Sequence, residues 1–135
     1  MTHSRNTFDD FIDIIKKLRS EKGCPWDKKQ SPQSLKPYLV EETNELLEAI
    51  DADDHQHIKE ELGDILYVVI LLSEIYSEKH LFTIDEVLEA ISAKMIRRHP
   101  HVFNDEKIES SAALRQKWLE IKAGEKAHRP ATKKN

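Results

Sequence analysis

Five acidic side chains recur at helical intervals in two stretches: Glu41, Glu42 and Glu45 in "VEETNELLEAI", and Glu61 and Asp64 in "EELGDILYVVILL". The second stretch runs straight into eight consecutive apolar residues, Ile65 to Leu72. Ionised groups lose hydration beside so apolar a surface, so something must hold these acids there. Glu42 with Glu45, and Glu61 with Asp64, share the i,i+3 spacing that puts both members of a pair on one helix face, a turn apart. On a helical wheel, Glu42 falls in the middle of the apolar arc of Leu35, Tyr38, Leu39, Leu46 and Ala49, and Glu45 lies near its edge. Glu61 sits near the centre of the arc of Ile58, Ile65, Val68, Leu72 and Ile75, with Asp64 between Leu71 and Ile75. Glu41 lies further round.

Carboxylates gathered in this way take up protons, form buried ion pairs or bind metal. Neither core-facing stripe carries a Lys or Arg for the second choice. A set of oxygens without His or Cys suits the hard cations Mg²⁺ and Mn²⁺, so the spacing favours metal. A di-iron bundle would need Glu-x-x-His on two helices, and that pattern occurs only at Glu125 and His128. A hard metal held by carboxylates commonly grips phosphate oxygens. Lys94, Arg97, Arg98, Lys122 and Lys126 offer positive charge for such an anion, the adjacent Arg97 and Arg98 being the stronger candidates. Trp26 and Trp118 are the candidate base-stacking platforms, with core packing as the commoner use of tryptophan.

The elements that must position these groups are helical. Phe8, Phe11, Ile12, Ile15 and Leu18 predict a first amphipathic helix that stops near Gly23 and Pro25. "CPWDKKQSPQSL" reads as a connecting loop, and Pro37 suits the opening turn of a second helix reaching about Asp51. "DADDHQ" supplies capping aspartates for a third helix from about His57 to Lys79. Thr83 and Glu86 form a capping-box pattern opening a fourth helix that ends at Pro100. Ser110 or Ser111 caps a short fifth helix ending at Gly124. No stretch alternates with period two. The expected fold is therefore all-α: a bundle of four principal helices plus a short C-terminal helix. Ile65–Leu72 is apolar all round, and a homodimer built on this helix would cover it.

The bulk properties agree. With 135 residues, 34% charged and only 3 glycines, the chain is one helix-rich domain over 1–125 followed by a basic, flexible tail over 126–135. A net charge of −4 gives no general attraction for nucleic acid. The single cysteine, Cys24, forms no intrachain disulfide and fits a buried thiol in a reducing cytoplasm. No signal peptide is visible, and the apolar run is far too short to span a membrane.

The segments "GCPWDKKQ", "SLKPYLVEETNELLEAI", "EELGDILYVVILL", "KMIRRHPHVF" and "KWLEIKAGEK" resemble the MazG-like nucleotide pyrophosphohydrolases of the all-α NTP pyrophosphatase group. They stand in that family's order from about Phe8 to Lys126. The resemblance implies a MazG-like fold and Mg²⁺-dependent hydrolysis of NTP or dNTP to the monophosphate and pyrophosphate, with Mn²⁺ as a substitute ion. By the same match Glu42, Glu45, Glu61 and Asp64 are metal ligands and Glu41 is a supporting or water-activating acid. Arg97, Arg98, Trp118 and Lys122 would contact the nucleotide. A role in clearing non-standard nucleotides is the leading expectation. The alternatives are a narrower dUTP, dCTP or phosphoribosyl-ATP pyrophosphohydrolase, and a non-catalytic helical nucleotide-binding dimer. Members commonly carry Thr-His where this chain has Ser31 and Pro32, which questions that loop's part in nucleotide contacts. Longer members hold two such domains in tandem, so a homodimer or homotetramer with intertwined domains is expected to supply the second copy.

Overall fold

A computed structural model describes residues 7–128. Among these residues every regular element is a helix: α1 Phe8–Leu18, α2 Pro25–Lys28, α3 Pro32–Asp51, α4 His55–Glu78, α5 Ile84–Arg98, α6 Pro100–Phe103 and α7 Ser111–Ala127. They fall into two compact units, the first reaching Asp85 and the second beginning at Glu86. The all-α expectation holds. No helix of the described residues is long and apolar enough to cross a membrane.

Side-chain caps open four of the helices, α1, α3, α4 and α7. Thr7 accepts from the Asp10 N–H at the head of α1. Asp54 accepts from the His57 N–H at α4, and Ser110 from the Ala113 N–H at α7. In α3 the Ser31 hydroxyl accepts from the Ser34 N–H while the Ser34 hydroxyl accepts from the Ser31 N–H, a reciprocal capping box. Pro32 occupies the first turn of α3, where a missing N–H costs nothing. Hence the helix begins earlier than expected, and Pro37 lies inside it, not in its opening turn. Ser31 and Pro32 thus start α3.

Three further boundaries differ from the sequence expectation. The "CPWD" segment is not open loop, because Pro25–Lys28 makes one helical turn. Residues Pro100–Phe103 form a separate turn of helix after α5. The C-terminal helix is not short: it has 17 residues and passes through Gly124, where nothing lies near enough to require glycine. The expected tail over 126–135 falls largely on 129–135, outside the described residues.

The first unit has the apolar core. Ile12 and Ile15 of α1, Leu35 of α3, and Val68, Ile70, Leu71 and Ile75 of α4 are buried together. Full burial of a side chain such as Leu71 contributes about 1.5–3 kcal/mol. A polar staple ties the α1–α3 connection onto that core. Arg19 donates through Nε and Nη2 to Glu78 at 2.6 and 2.8 Å, and through Nη1 to the Asp27 carbonyl at 2.5 Å. The Tyr67 hydroxyl donates to the Asp27 carboxylate, which is buried. Trp26 packs against the core and stands edge-on to Tyr38, with ring centroids 5.3 Å apart. Cys24 is free and half-buried. The apolar run of α4 is not covered all round within the chain: Leu66 and Val69 are exposed, in line with exposed Leu62 one turn before.

Gly23 closes the turn after α1, where a Cβ would strike the backbone carbonyls of Leu18 and Lys17. Gly63, on an exposed stretch of α4, has nothing within 4 Å of such a Cβ. Gly23→Ala should therefore destabilise the chain by about 1–3 kcal/mol. Gly63→Ala should stabilise it by up to about 1 kcal/mol. Urea denaturation of the two variants measures both.

Candidate functional site

A connection of three residues, Ala52 to Asp54, turns the chain from α3 into α4. The two helices then pack along each other, and their acidic faces meet. Glu42 and Glu45 of α3 and Glu61 of α4 each present a carboxylate oxygen within 4.8 Å of the others. Glu61 is 5% exposed, although it is a carboxylate. Its Oε1 lies 3.1 Å from His57 Nε2, one turn earlier on α4. The remaining oxygen of Glu61, and Oε2 of Glu42, are buried with no N–H or hydroxyl donor among the described residues, so only a proton held by one of the acids can bond them to each other.

Asp64 is exposed and lies outside the three-oxygen group. Its charge nevertheless acts on Glu42. The Glu42 carboxyl is pushed up to about 8, first by its hydrogen bond with Glu61, then by burial and by the charges of Asp64, Glu61 and Glu45. Glu45 is raised as well, chiefly by its hydrogen bond with Glu61. Glu61 is held low by hydrogen bonds from Glu42, Glu45 and His57. A proton on the α3 acids shared with an ionised Glu61 is what this pattern describes. Glu41 is exposed on α3, beside Glu42 in sequence.

The donor set fits a hard divalent cation. All three clustered groups offer oxygen, two of their oxygens are buried and unpartnered, and a positive ion would replace the shared proton. Sequence reasoning missed His57, yet its i,i+4 relation to Glu61 was a readable signal.

The second unit gathers the cationic candidates around a residue the sequence analysis had weighed only as a metal ligand. Glu125 receives Arg97 Nε at 2.5 Å on Oε2, and Arg98 Nη2 at 2.9 Å on Oε1. These guanidiniums hold the Glu125 carboxyl down at about 2. Glu125 is therefore engaged with arginine, and His128 Nδ1 lies 2.8 Å from the Gly124 carbonyl. The Trp118 ring has the Arg98 guanidinium 5.6 Å and the Lys122 ammonium 4.4 Å from its centroid. Lys94 is half-buried on α5, one turn before Arg98, and Lys126 is exposed on α7. Trp26 belongs to the first unit, where it is half-buried against the core.

Known proteins resemble this chain in both sequence and fold. The family model described as the MazG nucleotide pyrophosphohydrolase domain matches residues 30–103, more than half of the chain. The uncharacterized protein YabN of Bacillus subtilis is 52% identical over 119 residues, covering 88% of this chain and 24% of its own length. The nucleoside triphosphate pyrophosphohydrolase/pyrophosphatase MazG of Thermotoga maritima is 45% identical over 126 residues, 93% of this chain and 48% of its own length. The nucleoside triphosphate pyrophosphohydrolase of Escherichia coli K12 is 40% identical over 125 residues, with coverage of 92% and 48%. The chain thus spans half or less of these curated relatives. A crystal structure of a mazG-related protein from Thermotoga maritima superposes with a TM-score of 0.72 at 30% identity, covering 85% of this chain and 98% of that one.

The acid cluster has a consequence for stability. Glu42 binds its proton more tightly folded than unfolded, so its contribution is present at low pH and is lost as pH rises from about 4.5 through about 8. In metal-free buffer, unfolding free energy should fall over that window. Glu42→Gln should flatten the slope and be more stable than wild type above pH about 8. Urea titrations across pH in the presence of a chelator check the sign.

Proposed function

Because this chain belongs to the MazG nucleotide pyrophosphohydrolase family, we propose that it hydrolyses nucleoside triphosphates to the monophosphate and pyrophosphate, with Mg²⁺ as its cofactor. The observation that carries this proposal is the convergence of Glu42, Glu45 and Glu61, with buried oxygens that receive no N–H or hydroxyl donor among the described residues. Relatives at 40–45% identity bear the name nucleoside triphosphate pyrophosphohydrolase, which supports the same activity.

Glu42, Glu45 and Glu61 would hold the ion, and Asp64 would complete the set from its exposed position on α4. When bound, Mg²⁺ neutralises phosphate charge and makes the α-phosphorus a better electrophile. His57 steadies Glu61 through its ring nitrogen. Glu41, exposed beside Glu42, is the acid available to orient a water and take its proton. Attack on the α-phosphorus breaks its bond to the bridging oxygen, and negative charge moves onto pyrophosphate. Arg97, Arg98 and Lys122, all of the second unit, are the proposed nucleotide contacts. Trp118 serves as the aromatic support of Arg98 and Lys122.

The proposal includes a second copy of the chain, which would cover the stripe of Leu62, Leu66 and Val69. It also includes a cytoplasmic setting and the removal of non-standard nucleotides. A panel of NTPs and dNTPs, including dUTP and dCTP, decides the preferred base and sugar.

With Mg²⁺, turnover should release monophosphate and pyrophosphate in equal amounts and should vanish with a chelator. Glu42→Ala, Glu61→Ala and Asp64→Ala should each lose more than about 100-fold, and His57→Ala about 10–100-fold. Circular dichroism confirms that the variants remain folded. Release of orthophosphate alone, or full turnover in the chelator, would refute the assignment. Independently, Mg²⁺ at about 100 times its Kd should stabilise the fold by about 2.7 kcal/mol, read as a raised Tm.

A further inference from the structure

Neighbouring residues of an α-helix point about 100° apart, and like charges repel. Arg97 and Arg98, the last two residues of α5, nonetheless converge on one carboxylate, that of Glu125 on α7. The manner of the contact matters. Glu125 takes Nε–H of Arg97, and Nε–H and one Nη2 hydrogen of Arg98, at 2.5, 3.2 and 2.9 Å. It grips both guanidiniums along their inner edges. Among the described residues, the terminal nitrogens of Arg97 and Nη1 of Arg98 carry no hydrogen bond.

Arg98 is fixed further by Trp118, whose ring centroid lies 5.6 Å from its guanidinium carbon. Only 14% of its side chain is exposed. Beside the clamp lies a cavity of about 440 Å³ lined by Arg98, Lys122, Ala123, Glu125 and Lys126. Two arginines and one glutamate leave the trio with a net positive charge, and two lysines line the same cavity. Arg97 and Glu125 also line a second cavity, of about 580 Å³, so an anion in the first meets Arg98 with its Nη1 unbonded and with Arg97 held on the same carboxylate.

We propose that Glu125 is a positioning residue: it draws Arg97 and Arg98 together by their Nε edges and so fixes their unbonded terminal nitrogens for a polyphosphate. This deepens the function proposed above and rests on Arg97, Arg98 and Lys122 being the triphosphate contacts. Glu125 touches no substrate in this role. Its effect has a sign that simple charge counting does not share. A carboxylate near a phosphate repels it, so a competing Glu125 would weaken binding and its removal would tighten binding. A positioning Glu125 does the reverse, because splayed guanidiniums must be ordered anew at each binding event.

The test uses the full chain with Glu125→Gln, Glu125→Asp and Glu125→Ala, and inorganic tripolyphosphate as the calorimetric probe, with and without Mg²⁺. Glu125→Gln and Glu125→Ala should weaken binding by about tenfold, the loss of one charge-assisted contact. Glu125→Asp should recover part of the loss. For a nucleotide that the wild type hydrolyses, KM should rise in the same ratio, with a smaller change in kcat. In the Glu125→Ala background, Arg97→Ala should cost less than in the wild type, since the clamp that gives Arg97 its place is already gone. Tighter or unchanged binding in Glu125→Gln would overturn the proposal, as would a wild type that binds no tripolyphosphate in either buffer. The two proposals fail separately. Glu125-dependent binding without hydrolysis of any nucleotide removes the enzyme and keeps the clamp. Hydrolysis with a KM indifferent to Glu125 removes the clamp and keeps the enzyme.

Discussion

The first unit is organised around an electrostatic conflict. Packing α3 on α4 brings Glu42, Glu45 and Glu61 within 4.8 Å of one another, with oxygens of Glu42 and Glu61 cut off from water. Like charges so close repel, and burial removes the hydration that would soften the repulsion. The conflict shows in the acids themselves: Glu42 is pushed up to about 8 and Glu45 is raised, while hydrogen bonds hold Glu61 low beside His57. Such a cluster is a poor structural element, and under the proposed function a cation would relieve its repulsion.

Such a cluster exists only because the rest of the unit resists its separation. Ile70, Leu71 and Ile75 on α4 lie buried with Ile15 of α1 and Leu35 of α3, so α4 cannot move away from α3 without exposing that core. The Arg19–Glu78 pair and the Tyr67–Asp27 hydrogen bond fasten the "CPWD" turn to α4 as well. That motif, prominent in the sequence, serves packing: Asp27 is buried and bonded, and Trp26 lies against the core. Under the proposed function, stability and function are set against each other in one helix pair, a common relation at binding sites.

The second unit solves the opposite problem. It brings two positive charges together, with Glu125 as the counter-ion and Trp118 as an apolar support that favours cations over its face. Apart from Pro100, the helices α5, α6 and α7 bury no residue fully. Their order therefore leans on polar contacts of this kind more than on apolar packing within the unit.

Much of this was legible from residue spacing. The i,i+3 pairs on apolar arcs placed Glu42, Glu45 and Glu61 on inward faces, since helical periodicity determines direction whatever the partner is. Capping chemistry at Asp54 and Ser110 located helix starts for the same local reason. Where two local signals competed, spacing misled: Pro37 looked like a first turn, although Ser31 and Pro32 begin the helix earlier. Gly124 looked like an end, although an exposed glycine within a helix costs only about 1 kcal/mol. What only the tertiary structure decided is which groups meet. That Glu125 would reach Arg97 and Arg98 from 27–28 residues away, or that Asp64 would stay outside the three-oxygen cluster, depends on how helices pack. Periodicity tells each side chain where to point along its own helix; distances between helices are set by the volumes that fill the space between them.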